Sequence, residues 1–334
     1  MPPMRNLQVV LASRPTGPVS EQNFRFVESD LPIAGDGQVL VRGLFLSLDP
    51  YMRMRMNDAR SYAPPVAIGE VMVGGAVGEV VESKDARFKA GDFVSGRLGW
   101  QLFAAVDAGT LRKVDTQGAP LSAALGVAGM PGVTAWYGLM KIGEPKPGET
   151  VVVSAASGAV GGVVGQIAKL KGCRAVGIAG GPQKCAYVVD ELGFDACVDY
   201  KSASLEKALR EAAPDGIDIY FENVGGRVLD AVLPLINAYA RIPFCGYVSE
   251  YDTGNAYGVT GLKALLTNRA RLQAFIISEH PEIWQQATRE LTDWLVAGSL
   301  RYRETIAIGL KSAPAAFIGM LQGRNLGKQL VRLT

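Results

Sequence analysis

Residues 151–185 read VVVSAASGAVGGVVGQIAKLKGCRAVGIAGGPQKC, and the fold turns on this stretch. Three β-branched valines open it as a buried strand, small residues turn the chain, and GGVVGQIAKLKG continues at helical spacing. A strand, a tight glycine turn and a helix make an anion cradle, because backbone N–H groups and the helix dipole converge at the helix start. The fingerprint is Ala156-x-Gly158-x-x-Gly161, with Ala156 in the place of the first glycine and Ser157, Ala159 and Val160 completing the turn. Gly158 lets the backbone approach a pyrophosphate, and Gly161 lets the helix pack on its strand. Alone the pattern is weak. Here a strand precedes it, a helix follows, and a second strand, RAVGIA, comes at the right distance.

The end of that second strand indicates which dinucleotide to expect. NAD sites put Asp or Glu there, about 20 residues past the turn, to bond the ribose hydroxyls. This chain has Ala179-Gly180-Gly181 followed by Pro182-Gln183-Lys184. A carboxylate repels a 2′-phosphate, whereas a small neutral loop beside an ammonium accepts one. The expected coenzyme is therefore NADP(H), with Gly181 and Lys184 at its phosphate. Tyr200, on the next strand end, either covers the same phosphate or packs in the core.

Working outward, strands are expected at 151–155, 175–179, 196–199, 217–221, 241–245 and 272–277, with helical stretches such as SASLEKALREAA between them. That alternation predicts an α/β domain with a parallel, doubly wound sheet. The first ~120 residues differ: GQVLVRGLFLSLDPYM (37–52), VMVGGAVGEVVES (71–83) and FKAGDFVSGR (88–97) are strand-like and punctuated by glycine. From about Leu300 the chain turns β-like again and ends in NLGKQLVRLT. The economical layout is a β-rich domain from residues 1–124 and 300–334, with the α/β domain, 125–299, inserted between. A chain of 334 residues is long for one core, which agrees with two domains.

Composition excludes several classes. Lys plus Arg total 34 against 32 acidic residues, so no strong field favours nucleic acid or anionic lipid. Hydrophobic residues at 48% rule out a mainly disordered chain. The windows 116–140 and 150–168 lack charge, yet Pro120 and Pro131 break the first and a β-branched run opens the second, so no membrane span is expected. Four scattered cysteines and only a six-residue apolar run near the start suit a reducing cytoplasm.

With these residues in hand, the sequence resembles a medium-chain dehydrogenase/reductase of the zinc-free prostaglandin reductase/leukotriene hydroxydehydrogenase branch, in its bacterial curcumin reductase type. The likeness runs through LSLDPYMRMRM (46–56), SYAPPVAIGEVMVGGAVGEVVES (61–83), GMPGVTAWYGL (129–139), FENVGG (221–226), RIPFCGYVSEY (241–251), RLQAFII (271–277) and GRNLGKQL (323–330). It implies a GroES-like β-rich catalytic domain, a Rossmann domain, and NADPH-dependent reduction of carbon–carbon double bonds conjugated to a ketone or aldehyde. It further implies a homodimer. By the same resemblance Ser157 to Val160 line the pyrophosphate, Lys184 and Tyr200 the adenosine phosphate, and Asn223 the nicotinamide. Cys245, Gly246, Tyr247, Val248, Ser249, Tyr251, Phe275, Ile276 and Ile277 flank the cofactor, and Asn325 closes on it. Glu222 stands where many relatives have Asp, and the loop 252–266 differs from several of them, which leaves the substrate's identity open.

A catalytic zinc is not expected. Where zinc-dependent cousins carry a Gly-His-Glu stretch this chain has Ala67-Ile68-Gly69-Glu70-Val71, and no two of Cys173, Cys185, Cys197 and Cys245 are closely paired. His280, the only histidine, sits beside a proline in SEHPEIW and reads as a surface or cap residue. Hydride transfer from the nicotinamide is the chemistry left. Hydride arriving at the β-carbon of an enone pushes charge onto the carbonyl oxygen, so a hydrogen-bond donor there contributes on the order of a few kcal/mol. A tyrosine hydroxyl, the cofactor ribose hydroxyl or water must then supply the proton to the α-carbon. Three tyrosines compete for the donor role: Tyr251, which the resemblance supports, Tyr62, which maps to a tyrosine proposed as catalytic in bacterial relatives, and Tyr51, read as a wall. Met130, Trp136 and Tyr137 line either an apolar substrate pocket or a core. A quinone reductase of the same superfamily and a non-catalytic NADPH-binding sensor are the alternatives.

Overall fold

The computed structural model describes residues 5–115, 118–202, 204–252 and 256–333. The chain forms two compact units, Gly126–Arg303 with Leu326–Lys328, and Met1–Leu125 with Glu304–Asn325 and Gln329–Thr334.

The α/β unit is built on six parallel strands: β1 (Thr150–Ser154), β2 (Arg174–Ala179), β3 (Ala196–Asp199), β4 (Ile217–Phe221), β5 (Ile236–Phe244) and β6 (Arg271–Ala274). Their order across the sheet is β3-β2-β1-β4-β5-β6, the doubly wound arrangement. All five residues of β1 are buried, because a central parallel strand is covered on both faces. Helices α1 (Met130–Tyr137), α2 (Gly161–Leu170), α3 (Pro182–Ala186), α4 (Leu205–Ala212), α5 (Gly226–Val232), α6 (Lys263–Asn268) and α7 (Trp284–Val296) complete the unit. The strand order reverses between β1 and β4, and open α/β sheets bind ligands at the carboxyl ends of such a pair. The strand expected at 272–277 stops at Ala274; beyond it Phe275 and Ile277 are buried side chains rather than ladder residues.

The second unit is antiparallel. Its long central strand, Gln38–Ser47, pairs with Ala76–Ser83 on one side and Phe103–Asp107 along its first half, while Leu330–Arg332 of the final strand pairs with Phe45–Ser47. The C-terminal strand thus joins a sheet whose central strands come from the first part of the chain, while Arg5–Leu11 pairs antiparallel with Phe24–Asp30 as a separate two-stranded sheet. Phe24, Trp100 and Phe317 meet in its core with ring centroids 5.5–6.3 Å apart. Phe317 lies on a helix, Ala313–Leu321, within the tail that the sequence presents as β-like.

Candidate active site

The turn after β1 carries the strain of the cradle. Ala155 adopts a left-handed conformation with φ 52°, so the strained step falls one residue before the position read as the first glycine. For a residue with a Cβ this costs roughly 1–2 kcal/mol. A Cβ on Gly158 would lie 3.1 Å from the Ala155 carbonyl oxygen, and one on Gly161 only 2.4 Å from it. Side chains at either position would fill the cradle or push α2 off the strand. Ser157 is buried, Gly158, Ala159 and Val160 are half-buried, and Ala156 is fully buried with its N–H donating to Ile178 at 3.0 Å. Leu326–Lys328 lies against this turn. The Gly327 N–H donates to the Ser157 carbonyl at 2.9 Å, and Gly158 and Gly327 form an isolated parallel bridge. Gly327 has φ 69°, and a Cβ there would sit 2.0 Å from the Arg303 carbonyl oxygen, so only glycine fits. Asn325 leads directly into this segment and is half-buried.

At the end of β2, Tyr200 covers Gly180: a Cβ on Gly180 would meet the tyrosine ring at 2.8 Å. Tyr200 is 44% exposed, so it is a surface cover and not core packing. The Asp199 Oδ1 accepts the N–H of Gly181 at 2.8 Å and that of Lys201 at 2.9 Å, and these two bonds hold its carboxyl below the usual range. Lys184 is half-buried, and burial first, then the ammonium of Lys201, lowers its pKa. The Cys185 and Cys197 thiols hydrogen-bond to each other, which corrects the expectation that no two cysteines pair: their separation in sequence hides that α3 packs on β3.

The carboxyl end of β4 forms the third part. Asn223 donates its backbone N–H to the Ser154 hydroxyl and its side-chain amide to the Ser154 carbonyl, both at 2.8 Å. Ser154 in turn donates to Glu222 Oε1 at 2.8 Å, and the Val224 N–H reaches the same oxygen at 2.6 Å. Glu222 is fully buried, and burial raises its pKa. Its carbonyl accepts from Cys245 (2.9 Å) and Gly246 (3.2 Å), while the Asn223 and Val224 carbonyls accept from Val248 and Ser249. Residues 245–249 are thereby stitched onto the end of β4. Burial and then the nearby Glu222 push the Cys245 thiol up to about 12, which disfavours the thiolate. The Tyr251 hydroxyl lies over Gly246, where a Cβ would come within 3.0 Å of it, and its ring stands edge-on to Tyr247 at 5.1 Å. The following loop is pinned by Asp230, which accepts from Tyr257, Thr260 and Gly261; residues 253–255 of the expected substrate loop lie outside the described residues.

Of the expected apolar wall, Met130 and Tyr137 are half-buried on α1. Tyr137 packs between Phe275 (5.4 Å) and His280 (4.2 Å, stacked), and Ile276 beside them is half-buried. Trp136 does not join them. It is 1% exposed and its indole N–H donates to Glu290 on α7 at 3.0 Å, so it is a core residue between two helices. In the antiparallel unit, Tyr51 opens a short helix, Tyr51–Arg55, and burial, followed by Asp49, raises its phenol far above the ordinary value. Tyr62, which also bears on Tyr51, is 47% exposed. Among the described residues, no group of three or more His, Cys, Asp or Glu side chains is arranged to hold a metal ion.

Sequence reasoning missed the supporting residues Gly327, Asp199 and Ser154. Only Gly327 carried a signal, as the second glycine of GRNLGK.

Taken together, a 3-2-1-4-5-6 sheet, a glycine cradle at its switch point and a GroES-like antiparallel unit define an oxidoreductase of the medium-chain dehydrogenase/reductase superfamily. The chain belongs to that superfamily, within its prostaglandin and curcumin reductase branch. Residues 7–114 match the family of the N-terminal domain of oxidoreductase, and residues 159–293 match the zinc-binding dehydrogenase family. It is 50% identical over 335 residues to the NADPH-dependent curcumin reductase of Escherichia coli strain K12, covering 98% of this chain and 97% of that one. It is 44% identical over 319 residues to prostaglandin reductase 1 of Rattus norvegicus, covering 94% of each. The crystal structure of CurA in complex with NADPH from Vibrio vulnificus superposes with a TM-score of 0.94 at 48% identity, over 98% of this chain and 99% of that one.

Proposed function

We propose that this protein is an NADPH-dependent reductase of the carbon–carbon double bond of α,β-unsaturated ketones and aldehydes. The observation that carries the reading is half-identity, along essentially the whole chain, to a relative named NADPH-dependent curcumin reductase. The residues present fit the coenzyme: glycine at 158 and 161 keeps the cradle open, and the acid-free end of β2 is covered by Tyr200 and followed by Lys184. When bound, NADPH supplies the hydride that reaches the substrate's β-carbon. The chain's own residues do the rest. The turn 157–161 holds the pyrophosphate, Asn223 with residues 245–249 orients the nicotinamide side, and Phe275, Ile276 and Ile277 back it.

Tyr251 donates a hydrogen bond to the carbonyl oxygen as charge develops there, and Tyr62 is the second proton donor considered. Tyr51 remains a protonated wall residue, consistent with the direction of its shift. We read the reaction as zinc-independent, which the donor inventory supports: one histidine, and four cysteines of which only Cys185 and Cys197 pair. Residues 1–124 with 300–334 are assigned as the catalytic domain and 125–299 as the NADP-binding domain, the strap Leu326–Lys328 serving the latter. The location is read as cytoplasmic and the assembly as a homodimer.

The test is loss of NADPH absorbance with a simple enone, an enal and a quinone offered in parallel. Turnover of the enone or enal with saturated ketone or aldehyde as product supports the reading. Turnover of the quinone alone overturns it, and so does cofactor binding without any turnover. Tyr251→Phe lowers kcat by about 10-fold or more if its hydroxyl is the donor; an unchanged kcat transfers the role to Tyr62 or the ribose hydroxyl.

A further inference from the structure

We propose that Lys201 is a second phosphate-recognising cation, so that the 2′-phosphate of the coenzyme is held between Lys184 and Lys201 and not by Lys184 alone. This rests on the NADPH reading above. The geometry begins with Asp199, whose Oδ1 accepts the N–H of Gly181 and of Lys201 at 2.8 and 2.9 Å. One carboxylate oxygen therefore fixes the loop after β2 and the loop after β3 side by side. Tyr200 fills the space between them, its ring against Gly180. The Lys201 ammonium lies 6.0 Å from that ring's centroid, on the same ledge. Lys184 lies on the short helix that follows Gly181, where the Cys185 N–H bonds the Gly181 carbonyl at 3.2 Å. The two ammoniums are close enough for Lys201 to weigh on the titration of Lys184.

Charge balance favours a second lysine. Asp199 is a carboxylate within the ledge, so Lys184 alone would leave the site neutral. Lys184 and Lys201 together leave it with one net positive charge facing a group that carries about −1.5 to −2. Two ammoniums held near each other repel until an anion lies between them, and an empty site of this kind favours the phosphorylated coenzyme over its unphosphorylated counterpart.

The experiment is calorimetric titration of the wild-type protein, Lys201→Ala and Lys201→Arg with adenosine 2′,5′-bisphosphate and with 5′-AMP. The wild type binds the bisphosphate much more tightly than 5′-AMP. Lys201→Ala weakens the bisphosphate by about 10-fold, leaves 5′-AMP unchanged, and Lys201→Arg restores most of the difference. In steady-state assays Lys201→Ala raises KM for NADPH without lowering kcat and leaves KM for NADH as it was. Bisphosphate binding by Lys201→Ala within two-fold of wild type overturns the role of Lys201 while the NADPH reading stands. A wild-type protein that binds the two nucleotides alike overturns both.

Discussion

Glu222 is a carboxyl taken wholly out of water, and that burial outweighs the hydrogen bonds from Gly225, Val224 and Ser154 that favour its charged form. Oε1 accepts from the Ser154 hydroxyl and the Val224 N–H, whereas Oε2 and the neighbouring Tyr220 hydroxyl are buried without a well-aligned hydrogen bond. Burial raises the pKa of Glu222 in the folded protein. The sign then follows: a folded pKa above the unfolded value of about 4.3 gives stability that is complete below that value and is lost as pH rises through the raised one. Glu222→Gln keeps the acceptor and removes the titration. Urea unfolding at a series of pH values should show wild-type stability falling relative to Glu222→Gln above about pH 4.3; parallel profiles would mean that the fold does not raise the pKa of Glu222. Glu222→Ala should be worse at every pH, stranding two buried donors at about 1–3 kcal/mol each. It should also weaken NADPH binding, because Ser154 positions Asn223. At this scale the sequence was legible only in part. FENVGG marks a cofactor turn, but nothing in it reveals that the hydroxyl ordering the turn comes from 68 residues earlier. Such partners are set by which strands become neighbours, and that is a property of topology. Trp136 stayed open in the sequence for a related reason: an apolar helix face looks the same whether it meets a ligand or another helix, and Glu290 on α7 decides which.

Among elements, the buried parallel strands were the most legible, since runs such as TVVVS and IDIYF carry their β-branched and aromatic signature wherever they pack. The helix Ala313–Leu321 was not. APAAFIGML is apolar nearly all round, so it shows no 3.6-residue alternation and cannot be told from a strand by pattern. The three-residue strap Leu326–Lys328 was equally hidden, because it separates from its own tail to bond the phosphate turn. Gly327 makes that possible. A side chain there meets both a left-handed φ of 69° and the Arg303 carbonyl oxygen at 2.0 Å, neither of which a rotamer change relieves. Gly327→Ala should therefore lower stability by about 2 kcal/mol or more. It should weaken NADPH binding as well, because the strap's N–H no longer reaches Ser157. Chemical denaturation gives the first quantity and titration with NADPH the second. Unchanged NADPH affinity in a destabilised Gly327→Ala protein would make the strap a structural tie with no part in the cofactor site.

At the scale of the assembly, the open edge of the parallel sheet is the feature that calls for a partner. The order β3-β2-β1-β4-β5-β6 leaves β6 paired only with β5, and all four of its residues, Arg271–Ala274, are exposed. An exposed strand edge is a template for pairing, and soluble proteins cover or blunt it. An identical copy related by a two-fold axis does so with a self-complementary contact, in which each substitution is felt twice. The sequence of this strand, RLQAFII, shows that it is β-like but not that it lies at an edge, since edge position depends on the winding of the other five strands. Sedimentation of the wild-type protein should give twice the chain mass of 35.5 kDa. Leu272→Lys, which sets two ammoniums against each other across the paired edges, should shift the mass toward 35.5 kDa at micromolar concentration. Val296→Lys is the comparison, an exposed apolar position on α7 away from the strand, and it should leave the mass unaltered. A wild-type chain that sediments as a monomer, or a Leu272→Lys protein that stays dimeric with wild-type affinity, would remove β6 as the dimer contact.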